Sequence, residues 1–393
     1  MKRNCFWTAG ILLLMLSLFS FSGCGRGDED IKIGVILPLT GDLESYGQSL
    51  KNGIELAAEE INQRGGINIE QLEVAKKLTL ELRDSQGLEE EGIKIIEDFI
   101  FKQKIRVVIG AGASSVTLAI APIAEENNTI LLSPVSSSPE ITDAGSFIFR
   151  NYPSDLVEGE KMASIAVKNL NSIKIAVFSI NNKYGQGIKA VFITKFRSLG
   201  GEVKVFNYAP GTTDFKADVE EAKAWEPDTV YLIGYASELS HLLKELQVQE
   251  FQCVKISTSA FNDEALKLSG DAAEMLIFPR YEIDLKGDRK VIRSFHDNYK
   301  LKYSKEPDDY AAYGYDAVRM IAWSMKRRGD DPDTIQRALL NLKEFDGVTG
   351  VFDVNRQGDV VIYPKIYVVE NGVLILAEDY FAKKEEEAQK KKK

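Results

Sequence analysis

Two short stretches hold the residues best able to do chemistry. "GAGASS" (residues 110–115) and "LLSPVSSSPEIT" (residues 131–142) each lead from an apolar run into small residues and hydroxyls, then into what reads as a helix start. Serines in such places cap helices and shape turns. They also gather donors. The first N–H groups of a helix lack intrahelical partners and carry partial positive charge, which suits a carboxylate. Ser114 and Ser137 would add hydroxyls to those amides. Catalysis fits less well. The chain has 2 histidines, His241 and His296, each in a helix-like stretch far from the serines, and no G-x-S-x-G elbow. "GAGASS" is not a dinucleotide fingerprint, because Ser115 stands at the third glycine and no acid follows at the ribose distance. Metal-ligand spacing is absent as well, so no cofactor and no metal is expected. This is the chemistry of a binder.

The elements that must hold these turns alternate strand and helix. "IKIGVILPL" precedes "YGQSLKNGIELAAEEINQRGG", "KLTLELRDS" precedes "EEEGIKIIEDFIFKQK", and "RVVIGAG" precedes "SSVTLAIAPIAEEN". That order predicts an α/β fold with a mostly parallel sheet. A second round starts near residue 172. Ile173-Lys174-Ile175 repeats Ile31-Lys32-Ile33, and Tyr184-Gly185-Gln186 repeats Tyr46-Gly47-Gln48. Two similar lobes are expected, each a doubly wound parallel sheet. In such sheets ligands collect at the carboxyl ends of the strands. Tyr46 and Tyr184 lie there, one per lobe, with the serine turns and the "IGYASE" that carries Tyr235. Polar strand ends facing one another describe a cleft.

The ends of the chain read differently. Lys2 and Arg3 precede an apolar run, Ala9 to Phe21, too short to span a bilayer comfortably, so residues 1–23 read as a secretory signal. Cys24 follows "FSG", which resembles a bacterial lipobox with Phe21 where leucine is more usual. Lipidation at Cys24 would leave residues 24–30 as a tether and hold the protein to a membrane on its extracytoplasmic side. Cys253 would then be the single cysteine free to pair, so no internal disulfide is expected. Removing Lys2 and Arg3 from the 49 basic residues leaves 47 against 59 acidic, a net of −12. Nucleic acid is a poor partner for such a surface. The charged tail over 381–393, ending "KKEEEAQKKKK", is expected to be disordered.

From residue 31 to about 378, "DIKIGVILPLTGDLESYGQSLKNGIELAAEEINQRGGI", "VVIGAGASSVT", "ILLSPVSSSPEIT", "KYGQGI" and "PDDYAAYGYDAV" resemble the periplasmic leucine/isoleucine/valine-binding proteins. These are type I solute-binding components of ABC transporters. The resemblance implies two α/β lobes joined by three hinge crossovers, near residues 153, 281 and 347. Lobe 1 would then comprise 31–153 and 282–346, and lobe 2 would comprise 154–281 and 347–380. It implies delivery of a small amino acid, branched-chain-like, to an ABC permease and its ATPase subunits. Position by position, Ser114 and Ser137 match hydroxyl contacts to a ligand carboxylate. Ala113 and Ser136 match backbone contacts beside them, and Tyr46, Tyr184 and Tyr235 match cleft tyrosines. Ser259, in "STSAFND", stands where related proteins carry a glutamate for the ammonium. The positions of a first-lobe disulfide look like Gln86 and Ala113. A buried ammonium needs a counter-charge, and the nearest acid is Asp155 in "RNYPSD", also a natural helix cap. Rival readings are a receptor for a short amide, urea or aromatic acid, and a sensory ligand-binding subunit.

Overall fold

The computed structural model describes residues 30–70 and 74–391; the expected signal segment 1–23, Cys24 and the tether up to residue 29 lie outside the described residues. The chain opens with β1 (Ile31–Leu37), α1 (Glu44–Gln63), a small antiparallel hairpin of β2 (Ile67–Ile69) and β3 (Val74–Lys76), and β4 (Leu78–Asp84). It continues with α2 (Glu89–Glu97), β5 (Val107–Gly110), α3 (Ser114–Glu126), β6 (Ile130–Ser133) and β7 (Ile148–Arg150). These give a sheet in the order β4-β1-β5-β6-β7 with every neighbour parallel. Strands covered on both faces must be apolar on both, and β5 and β6 are buried along their whole length. Ile33, Val35, Ile109 and Leu132 join one core with α1, while Ile36, Val108 and Leu131 join the other with α3.

The second lobe repeats the plan. It runs α4 (Asp155–Lys168), β8 (Lys174–Ile180), α5 (Lys183–Ser198), β9 (Glu202–Tyr208), α6 (Lys216–Ala224) and β10 (Thr229–Ile233). Then come α7 (Ala236–Val248), β11 (Val254–Ser257), α8 (Asp263–Ser269) and β12 (Leu276–Arg280). The parallel order is β9-β8-β10-β11-β12. The chain then returns to the first lobe as α9 (Lys290–Tyr303), α10 (Asp309–Arg328) and α11 (Pro332–Leu340), followed by a hairpin of β13 (Phe345–Gly347) and β14 (Gly350–Phe352). It ends in the second lobe with β15 (Lys365–Glu370) and β16 (Val373–Leu376), added antiparallel beside β12, and α12 (Ala377–Lys391). The α/β class and the two doubly wound parallel sheets are those the strand–helix alternation predicts.

The repeated Tyr-Gly pairs have a packing reason. A Cβ on Gly47 would collide with the carbonyl of Pro38, and one on Gly185 with the carbonyl of Ile180. In both lobes the helix starts hard against the end of the preceding strand, and the tyrosine beside the glycine is carried to the same edge.

Two expectations need correction. The last return to the second lobe falls between Val360 and Lys365, not near 347. Phe352, Val354 and Val360 are buried in the first-lobe core, and Asp359 pairs with the fully buried Arg150 of β7, so this stretch cannot leave before both are satisfied. The tail is not disordered across its described part. α12 runs to Lys391, as a run rich in alanine, glutamate and lysine favours, and Ala377 and Tyr380 anchor its first turns in the core.

Candidate functional site

α3 begins at Ser114, with Ala113 in an extended conformation before it and no side-chain cap. Its first N–H groups are therefore left for an external acceptor. Gly112, Ala113 and Ser114 line a cavity of about 50 Å³ between the lobes. The Ser114 hydroxyl accepts from the Ser138 N–H at 3.2 Å, so its own proton remains free to donate. Behind it the two serine turns are tied together. Thr117 Oγ1 accepts from the Ala111 N–H at 3.1 Å and meets Ser136 Oγ at 2.8 Å, while the Ser136 N–H donates to Ser133 Oγ at 3.1 Å.

Tyrosines from both lobes enclose the cavity. Tyr46 packs edge-on against Tyr310, centroids 4.9 Å apart, and Tyr184 stacks on Tyr235 at 5.4 Å. Tyr46 Oη accepts from the Ala236 N–H at 3.2 Å, which joins α1 of one lobe to α7 of the other. Tyr184 donates to Thr258 Oγ1 at 2.7 Å, and Tyr152 Oη lies 3.3 Å from Ser259 Oγ. Burial pushes every one of these phenols above its ordinary pKa, so they stay neutral. Further bonds bridge the lobes: the Lys183 N–H to Ser115 Oγ at 3.2 Å, Lys183 with Glu140 at 2.9 Å, and Arg280 with Asp309 at 3.2 Å. The cleft is closed.

The second-lobe side of the site holds two carboxylates one turn apart. Ser154 caps α4 by accepting from the Leu156 N–H, which leaves Asp155 in the first turn and not at the cap. Asp155 accepts from Ser137 Oγ at 3.0 Å. Glu158 Oε1 accepts from the Ser259 N–H at 3.0 Å, whereas its Oε2 is buried with no partner among the described residues. Desolvation by burial pushes the Glu158 carboxyl up to about 7. Asp155 is raised too, first by burial and then by the charge of Glu158, although Ser137 and Arg150 oppose this. With the two acids one helical turn apart, ionising one raises the cost of ionising the other.

Of the residues singled out in the sequence, Tyr46, Ala113, Ser114, Ser137, Tyr184, Tyr235 and Ser259 all line this cavity. Ser136 and Asp155 stand behind it, Ser136 bracing Thr117 and Asp155 holding Ser137. The sequence reading missed Tyr152, Tyr310 and Glu158. Tyr310 sits in the quoted "PDDYAAYGYDAV" and Tyr152 in "RNYPSD". Glu158 had a signal of its own, since a residue three beyond Asp155 shares its helix face.

The comparisons agree with this fold. A family model described as periplasmic binding protein matches residues 30–370. The Leu/Ile/Val-binding protein BraC3 of Rhizobium johnstonii is 28% identical over 358 residues, covering 89% of this chain and 94% of the relative. The crystal structure of the leucine binding protein LivK from Thermotoga maritima superposes with a TM-score of 0.80 at 30% identity, covering 88% of this chain and 97% of that one. A solute binding protein of an ABC transporter from R. palustris, solved in complex with benzoate, shares the fold with a TM-score of 0.78 at 18% identity, over 88% of this chain and 95% of that one.

Proposed function

The chain belongs to the periplasmic binding protein family, and from that premise we propose that it is an extracytoplasmic solute-binding protein for a small, branched-chain-like amino acid, which it delivers to an ABC permease and its ATPase subunits. The observation that carries this reading is the donor set at the start of α3. Uncapped N–H groups and the free Ser114 proton meet in a closed cavity walled by tyrosines of both lobes. Such an array receives a carboxylate, and the phenol faces receive an apolar side chain. The leucine and Leu/Ile/Val-binding relatives support the ligand class. In this reading the protein is a carrier and not an enzyme, held to the membrane by lipid on Cys24.

A second reading, a receptor for an aromatic acid, is favoured by the uncharged Ser259 and the tyrosine walls; the benzoate-bound relative has the same fold. Mass spectrometry of the small molecule released from protein purified without denaturation separates the two. The expected result is an amino acid. An aromatic acid or an amide would replace the first reading with the second.

A further inference from the structure

Among the polar side-chain atoms of the described residues, Glu158 Oε2 stands out. It belongs to a fully buried side chain, has no hydrogen-bond partner, and lies one helical turn from a second buried acid, Asp155. A buried carboxylate oxygen without a partner is costly to maintain. Its other oxygen holds the backbone of Ser259, which lines the cavity. Asp155 is likewise one residue removed from the cavity, through Ser137. The two carboxylates therefore both back this space, Asp155 through the serine turn that also meets Ser114 and Glu158 through Ser259.

We propose that Glu158, with Asp155, is the counter-charge for a cationic group of the ligand, and that a ligand carrying such a group binds with release of a proton from this pair. The inference rests on the carrier reading above and deepens it by assigning the groups that receive the ammonium. The charged groups that face the pair are few. Arg150 attracts Asp155, but its guanidinium is committed to Asp359 at 2.6 Å, the Ser138 carbonyl at 2.9 Å and Thr142 at 2.6 Å. The phenols of Tyr152, Tyr184, Tyr231 and Tyr281 surround the acids and stay neutral. Beyond Tyr152, Asp309 is paired with Arg280. No cation in this set neutralises Glu158, so burial favours its protonated form, and an arriving ammonium favours the ionised one. The cleft mouth has the same sign, with Asp42, Glu89, Glu90, Glu91 and Glu238 around it.

Titration calorimetry with leucine and with 4-methylpentanoate, its analogue without the amino group, tests this. Leucine binding by the wild-type protein is measured from pH 6 to pH 8 in buffers of different ionisation enthalpy. With the Glu158 carboxyl near 7, leucine affinity should fall about tenfold from pH 8 to pH 6, and at pH 7 the heat should depend on the buffer as protons leave. Glu158→Gln should abolish both effects and weaken leucine binding while sparing 4-methylpentanoate. Thermal melting of the unliganded variant separates misfolding from lost charge, and the wild-type proton count does not depend on the variant. Leucine binding with no proton release and no pH dependence overturns this inference and leaves the carrier reading standing. Preference for 4-methylpentanoate, or failure of leucine to bind at any pH, overturns the amino-acid reading and this inference with it.

Discussion

Ser137 and Asp155, 18 residues apart, are bonded twice: the Asp155 N–H donates to the Ser137 carbonyl at 2.8 Å, and the Ser137 hydroxyl donates to the Asp155 carboxylate at 3.0 Å. The first-lobe serine turn is thereby locked to the first turn of α4. The Ser137 proton is spent on Asp155, so in the proposed reading Ser114 and the α3 amides are the donors left for a ligand carboxylate. Ser154 already caps α4. Asp155→Asn should therefore leave unliganded stability unchanged or raised, because it removes a like charge beside Glu158. Leucine affinity should fall by roughly tenfold or more, as for a lost bond to a charged group. Melting curves and calorimetry on the one variant check both. A large drop in melting temperature with unaltered affinity would return Asp155 to a purely structural role.

Ser114→Ala removes a hydroxyl whose proton has no protein acceptor among the described residues. Affinity for leucine should weaken by roughly 1.5–3 kcal/mol, the scale for a hydrogen bond to a charged group. The same loss should appear with 4-methylpentanoate, since both carry the carboxylate. A loss confined to leucine would place Ser114 at the other end of the ligand.

The raised Glu158 carboxyl makes unliganded stability depend on pH with a definite sign. The folded protein keeps this proton up to about pH 7, while the unfolded chain releases it near 4.5. The stabilisation is fully present below pH 4.5 and is lost as pH rises to about 7, a change of roughly 3 kcal/mol. Glu158→Gln does not titrate there, so its stability should fall less between pH 5 and pH 8. Urea unfolding at those two pH values reads the difference. Parallel changes for variant and wild type would show that Glu158 is not the titrating group.

Much of this architecture is legible in the sequence because it rests on local pattern. Buried runs such as "VVIG" and "ILLS" alternate with amphipathic helices, and the paired Tyr-Gly steps mark equivalent strand ends in the two lobes. Tyr46, Tyr184, Tyr235 and Ser114 follow from the same logic, because strand ends of doubly wound sheets converge. What was not legible depends on partners distant in sequence. The end of the last crossover is set by Asp359 reaching Arg150 across 209 residues, a pairing with no local signature. Glu158 looks like an ordinary acid near a helix start until Ser259, 101 residues away, is seen donating to it. Its unpartnered second oxygen can be seen only in the folded chain.

Arg150 is fully buried and Asp359 nearly so, at 2.6 Å, and Arg150 also holds the carbonyl of Ser138 beside the α3 donors. Removing one member of a buried ion pair strands the other charge, at a cost of roughly 3–5 kcal/mol. Asp359→Ala should lower unfolding stability by that amount and loosen the serine turn, so that leucine binding weakens as well. A stability change below roughly 1 kcal/mol would show that water reaches Arg150 once Asp359 is gone.

The most direct test is a crystal structure of the protein with leucine bound. The expected density lies between the lobes, with the ligand carboxylate on the Ser114 hydroxyl and the first N–H groups of α3, and the ammonium turned toward the side of Glu158 and Asp155. Leucine outside the cavity, or lying the other way round with its carboxylate against those two acids, would contradict the account.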